Sequence, residues 1–235
     1  MRFCSLIKYL RKKEKRMHMN TLRERILEQE SKVHEQENGN NNSEFIAHSN
    51  ADNYRTDAIL SDITGISAED LLKKYGISLQ PPIDLQLLID KLGFVVKERD
   101  FSEIENKAGL PSQSILGASM VLDGKVNLYY KSGESSHRTK FTLAHELAHC
   151  ICHLETIDHM EFRSDITDLN NEKEIEANRY AGELLIPESS LKAILKQFYF
   201  PSLSALSQIF DVSTNVMEKR LQDLGISYLY DLSQE

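Results

Sequence analysis

The chain has 235 residues, 40% apolar and 27% charged, the make-up of a globular protein with one sizeable core or one domain plus a smaller appendage. Its net charge of −8 is uneven: residues 1–17 hold seven Lys/Arg and one Glu, a net of +6, which leaves −14 for residues 18–235. The acidic body argues against broad nucleic-acid binding by the fold, no apolar run approaches the roughly 20 residues of a membrane span, and three cysteines give no disulfide framework.

Residues 1–57 are expected to be a basic arm followed by a polar linker. The N-terminal apolar patch precedes its basic cluster, the reverse of a secretory signal, so the expected location is the cytoplasm. Met17 and Met19 offer later starts, so the arm is either a native basic segment or an upstream extension. Residues 30–54, with "HEQENGNNNSEF", have too few large apolar groups to offset the entropy of ordering.

An α+β domain is expected over 58–187. "SAEDLLKKYG" reads as a helix capped by Ser67 and ended by Gly76. "PPIDLQLLIDKLG" repeats the pattern, with Asp84 as cap and Leu85, Leu88, Ile89 and Leu92 on one face. "FVVKE" reads as a strand, and "SILGASMVLDGKVNLYYKSG" as a hairpin turning at Asp123-Gly124. A helix is expected from about Thr139 to His153, then a polar loop, then a helix in "EKEIEANRYAGELLIP" that Pro187 closes. Residues 188–235 form a helical annex, in which "SLSALSQIFDVSTNVMEKRLQDLG" has helix-turn-helix rhythm.

The chemistry concentrates in "FTLAHELAHCICH". His145 and His149 are i and i+4 on a helix, so both imidazoles can reach one ion, and two imidazoles suit Zn²⁺. Glu146 lies about 100° around the axis, placed to take a proton from an attacking water and return it to a leaving amine. Cys150 and Cys152 are about 200° apart, unsuited to a shared metal. His153 lies about 12 Å along the axis from His145, too far for three bonds from one straight helix. Glu155 has the spacing of another class of zinc site, but the glycine that turns the chain there is replaced by Cys152.

A catalytic zinc needs a third protein ligand and one open position. The next helix offers Glu172, Glu174 and Glu176. Glu174 shares a face with Asn178, Ala181 and Leu185, and small residues at 177, 181 and 182 permit close packing on the first helix. Glu174 could then ligate, with Asn178 holding a histidine through its other ring nitrogen, and Glu172 and Glu176 are rivals in the same cluster. Glu176 is about 200° from Glu174, so only one of those two can face the ion.

Through "RTKFTLAHELAHCICH" and "EIEANRYAGELLIP" the chain resembles the ImmA/IrrE family of bacterial and mobile-element zinc metallopeptidases, and more loosely so over residues 60–225. The resemblance implies a zincin-like core, a small antiparallel sheet with an active-site helix and a third-ligand helix. It also implies one Zn²⁺ per chain held by His145, His149 and Glu174, with Glu146 as catalytic base. It implies a protein substrate, often a helix-turn-helix repressor of a mobile element or stress regulon. Tyr180, His137, Arg138 and His159 are candidates for stabilising the transition state. An exposed hairpin strand beside the metal helix would let an extended peptide pair with it.

A different class of reading makes the chain a DNA-binding or zinc-sensing regulator without proteolysis. Its reading helix would offer only Lys219 and Arg220 as bases, offset by Glu218 and Asp223, so a helical buttress is the favoured role of the annex.

Overall fold

The computed structural model describes residues 56–122, 124–153, 161–163, 172–197 and 202–228. The arm and linker up to residue 55, Asp123, Glu155 and His159 lie outside the described residues. Residues 56–63 are helical, and the Thr56 hydroxyl donates to the Gly124 carbonyl of the hairpin turn.

Helix α1 (Ala68–Lys74) starts where the Ser67 hydroxyl accepts the Asp70 N–H. Helix α2 (Leu85–Leu92) starts where Asp84 accepts the Leu87 N–H and stops at Gly93, whose φ of 72° is left-handed. Its stripe of Leu85, Leu88, Ile89 and Leu92 is buried. The sheet comprises β1 (Val95–Arg99), β2 (Gly117–Leu122), β3 (Lys125–Lys131) and β4 (Glu161–Arg163), in the order β1-β3-β2-β4. Between β1 and β2 lies α3 (Ser102–Ala108).

The α+β class holds, but the sheet is mixed rather than wholly antiparallel. Strand β1 runs parallel to β3, whose other side pairs with the hairpin partner β2. A second correction concerns the hairpin's outer edge. Strand β4 pairs antiparallel with β2 from Gly117 to Ser119, so that stretch of edge is not open to a peptide. Three residues in a polar loop carry no strand periodicity; pairing with β2 makes them a strand.

The pleat separates two apolar clusters. Val126 and Leu128 face the main core, while Ala118, Met120 and Tyr129 face Phe101, Ile104 and Ile115 on the other side. Against the main face lies α4 (Ser136–Cys152), and against α4 lies α5 (Glu172–Leu185). Ala144, Ala148, Ala177 and Ala181 are all fully buried, as close packing of these helices requires.

The annex holds α6 (Glu188–Leu195), α7 (Leu203–Phe210) and α8 (Thr214–Asp223). Its Leu191, Leu206, Phe210, Met217 and Leu221 join the same buried cluster as α4 and α5. Of the two bases on α8, Arg220 is buried, its Nε donating to the Ile186 carbonyl at 3.1 Å. Among the described residues no helix is long and apolar enough to cross a membrane.

Candidate metal centre

Helix α4 is capped by Ser135, whose hydroxyl accepts the Arg138 N–H, and every residue from Thr142 to Ile151 is buried. That run contains His145, Glu146 and His149, at 0%, 0% and 3% exposure. Polar groups buried to this degree need partners to offset their lost hydration. Helix α5 supplies one: Glu174, buried in its first turn.

His145 Nε2 and His149 Nε2 stand 3.0 Å apart. Glu174 Oε2 is 3.2 Å from the first and Oε1 is 3.3 Å from the second. A tetrahedral zinc with bonds of about 2.0–2.1 Å has ligand-to-ligand edges of about 3.3–3.4 Å. The His145–His149 separation is a few tenths of an ångström short of such an edge, the two glutamate contacts run to different oxygens of one carboxylate, and one ligand atom from each residue lies within 4.8 Å of the others; two imidazoles with one carboxylate is a donor set zinc takes. The residues present therefore fit a divalent metal.

Burial opposes the charge of Glu174, but hydrogen bonds from His145 and His149, and their charge, outweigh it and hold the carboxyl well below the usual carboxylate range. An ionised carboxylate is the form a metal binds. On the far side of the first imidazole, His145 Nδ1 lies 3.1 Å from Asn178 Oδ1. An amide oxygen only accepts, so Nδ1 carries a proton there, and a bound metal would take the place of the proton that Nε2 shares with Glu174.

The other expected candidates separate cleanly. Glu172 is exposed, and Glu176 is half exposed, with its Oε2 3.7 Å from His153 Nε2 rather than at the cluster. His153 caps α4 and lies outside the trio. Burial pushes the Cys150 thiol up to about 12 and the Cys152 thiol to about 11, so neither offers a thiolate near neutral pH. The Tyr180 hydroxyl donates to the Ile66 carbonyl at 3.0 Å, His137 pairs with Asp211 at 3.1 Å, and Arg138 with Glu134 at 3.3 Å. Each of these three has a partner away from the cluster.

One residue that the sequence reading passed over shapes the site. Gly117 opens β2 directly beneath α4. A methyl group placed on it would stand 2.4 Å from Thr142 Cγ2 and 2.9 Å from Glu146 Oε1. The signal was present in the sequence, since glycine inside a strand often marks a close approach.

Residues 90–222 match the family model Peptidase_M78, described as the IrrE N-terminal-like domain. No curated protein matches the chain.

Proposed function

Since this chain belongs to the Peptidase_M78 family of IrrE N-terminal-like domains, we propose that it is a zinc-dependent endopeptidase acting on one specific protein, a DNA-binding transcriptional repressor of a mobile element or stress regulon. The observation that carries the peptidase reading is the trio His145, His149 and Glu174, whose ligand atoms lie within 4.8 Å of one another, with Glu146 on the same helix. The resemblance of the paired helix motifs supports the repressor as substrate.

In this reading His145, His149 and Glu174 hold one Zn²⁺. When bound, the ion supplies Lewis acidity to the scissile carbonyl and to water. Glu146 removes a proton from the attacking water as the new C–O bond forms. It then delivers that proton to the nitrogen as the C–N bond breaks; the acid and amine so formed exchange the remaining proton, giving a carboxylate and an ammonium group. Asn178 fixes the ring of His145. Gly117 lets β2 approach the Glu146 carboxylate, which keeps that base at one place on the sheet.

The test pairs metal analysis with cleavage. Wild-type protein is expected to hold one zinc and to cut a purified helix-turn-helix repressor from the same genome. Glu146→Gln should keep the zinc and lose cleavage, read by mass spectrometry of the fragments. Cleavage by the Gln variant would remove Glu146 from the role of base, and protein without stoichiometric metal would end the reading.

A further inference from the structure

We propose that His153 is a positioning residue: it fixes the first turn of α5 and so sets where Glu174 meets the two histidines. This rests on the metal-site reading above. His153 follows the last residue of α4, is 7% exposed, and its backbone N–H donates to the His149 carbonyl. Its ring spans to the other helix. His153 Nε2 lies 3.2 Å from the Lys173 carbonyl oxygen and 3.7 Å from Glu176 Oε2. A carbonyl only accepts, so Nε2 carries the proton and donates it. Lys173 and Glu176 bracket Glu174 in the sequence.

Among the described residues, the first turn of α5 buries no large apolar side chain. Ile175 is 55% exposed, and Glu172 and Glu176 face outward; full burial begins with Ala177. A helix end of that kind frays unless its backbone is tied down. His153 ties it on both sides of the ligand. His145, His149 and His153 therefore divide the work: the first two offer nitrogens to the ion, and His153, just past the end of α4, holds the backbone that delivers the third ligand. Its ring centroid is 5.7 Å from that of His149, close enough for a shift at 153 to reach the site.

Two substitutions separate donation from bulk. His153→Leu keeps an apolar volume and removes the donor, whereas His153→Gln keeps an N–H at about the same reach. Zinc affinity is read by competition with a chromogenic chelator, and site geometry by the visible absorption of the Co²⁺-substituted full-length protein. His153→Leu is expected to weaken metal binding by about 10- to 100-fold and to alter the cobalt spectrum, as loss of an orienting partner does. His153→Gln should restore both. In a Glu174→Ala background His153→Leu should weaken binding no further, since the two act through one ligand. An unaffected Leu variant, failed rescue by Gln, or a further loss in the Glu174→Ala background would each overturn the assignment. A wild-type protein that binds no metal overturns the peptidase reading along with it; a metal-binding wild type with an unaffected Leu variant overturns this assignment alone.

Discussion

Gly117 is seated directly against Glu146: a Cβ at position 117 would come within 2.9 Å of the carboxylate oxygen and 2.4 Å of Thr142 Cγ2. Both contacts are shorter than packed atoms sustain, and a third, to the Tyr129 carbonyl at 3.1 Å, blocks escape along the sheet. Gly117→Ala must therefore displace α4 from β2 or rotate both the Thr142 and the Glu146 side chains. The expected cost is about 1–3 kcal/mol of stability, as for other overpacked sites. Cleavage should fall further than that loss explains, while zinc content stays near one per chain because the ligands do not touch residue 117. Thermal unfolding, metal analysis and a cleavage assay on one preparation check all three.

The residues that were legible in the sequence are those whose local chemistry decides their structure. Asp84 and Gly93 bracket α2, and His145 and His149 are one helical turn apart whatever surrounds them. What the sequence left open depended on partners distant in the chain. Helix α3 is seven residues long, with only Phe101 and Ile104 as apolar anchors; it exists because these meet Met120 and Tyr129, and because Glu105 accepts the Ile115 N–H at 2.8 Å. Strand β4 exists through its pairing with β2. The parallel setting of β1 is likewise invisible locally, since strand direction depends on which neighbour pairs. Choosing Glu174 over Glu172 and Glu176 needed the rotational phase of α5 against α4. The resemblance favoured Glu174 through its spacing to Asn178, and in the fold Glu174 is the one within reach of both histidines while Glu172 and Glu176 are exposed.

Asn178 meets the cluster at His145, with its Oδ1 3.1 Å from His145 Nδ1. Asn178→Ala removes the acceptor that holds the ring and its tautomer. Metal affinity should drop by about 10- to 100-fold, with little change in the stability of the metal-free protein because residue 178 is exposed. Asn178→Asp keeps an oxygen acceptor and should retain most of the affinity. Chelator competition on the three proteins measures this; equal affinities for wild type and Ala would remove Asn178 from the site.

Arg220 decides what α8 can do. Its guanidinium is turned inward, with Nε on the Ile186 carbonyl and Nη1 3.6 Å from Glu183 Oε1. That leaves Lys219 as the exposed base of the helix, in an ion pair with Asp223 at 3.7 Å. One exposed cation beside an acid is a poor phosphate footprint. The full chain should therefore show no salt-dependent binding by α8 to duplex DNA, and Lys219→Ala should leave any residual binding unchanged. Arg220→Ala should instead destabilise the fold by about 1–3 kcal/mol, because the Ile186 carbonyl loses its buried donor. Denaturant unfolding and a mobility-shift titration over a range of salt concentrations separate the two roles.

Asp211 joins the annex to the active-site helix and gives the fold a defined acid response. It ends α7 with a φ of 52° and takes Lys140 Nζ at 2.9 Å and His137 Nε2 at 3.1 Å, both from α4. The hydrogen bond from Lys140 lowers its pKa, burial opposes this, and the charge of Lys140 and the bond from His137 add to the lowering. A carboxyl with a folded pKa below its unfolded value stabilises the protein above the unfolded value, about 3.9, and loses that contribution as pH falls through the folded one. Asp211 is half exposed, so the pair's worth is under about 1 kcal/mol at neutral pH after solvent screening. Asp211→Asn tests this without backbone strain, since Asn tolerates the left-handed region. Wild type should exceed the Asn variant by that small margin at neutral pH, and the margin should shrink toward zero as the pH drops below the carboxylate range. Denaturant midpoints measured from neutral pH down to acid would show it, and a margin that stays constant with pH would mean the Asp211 charge plays no part in docking the annex.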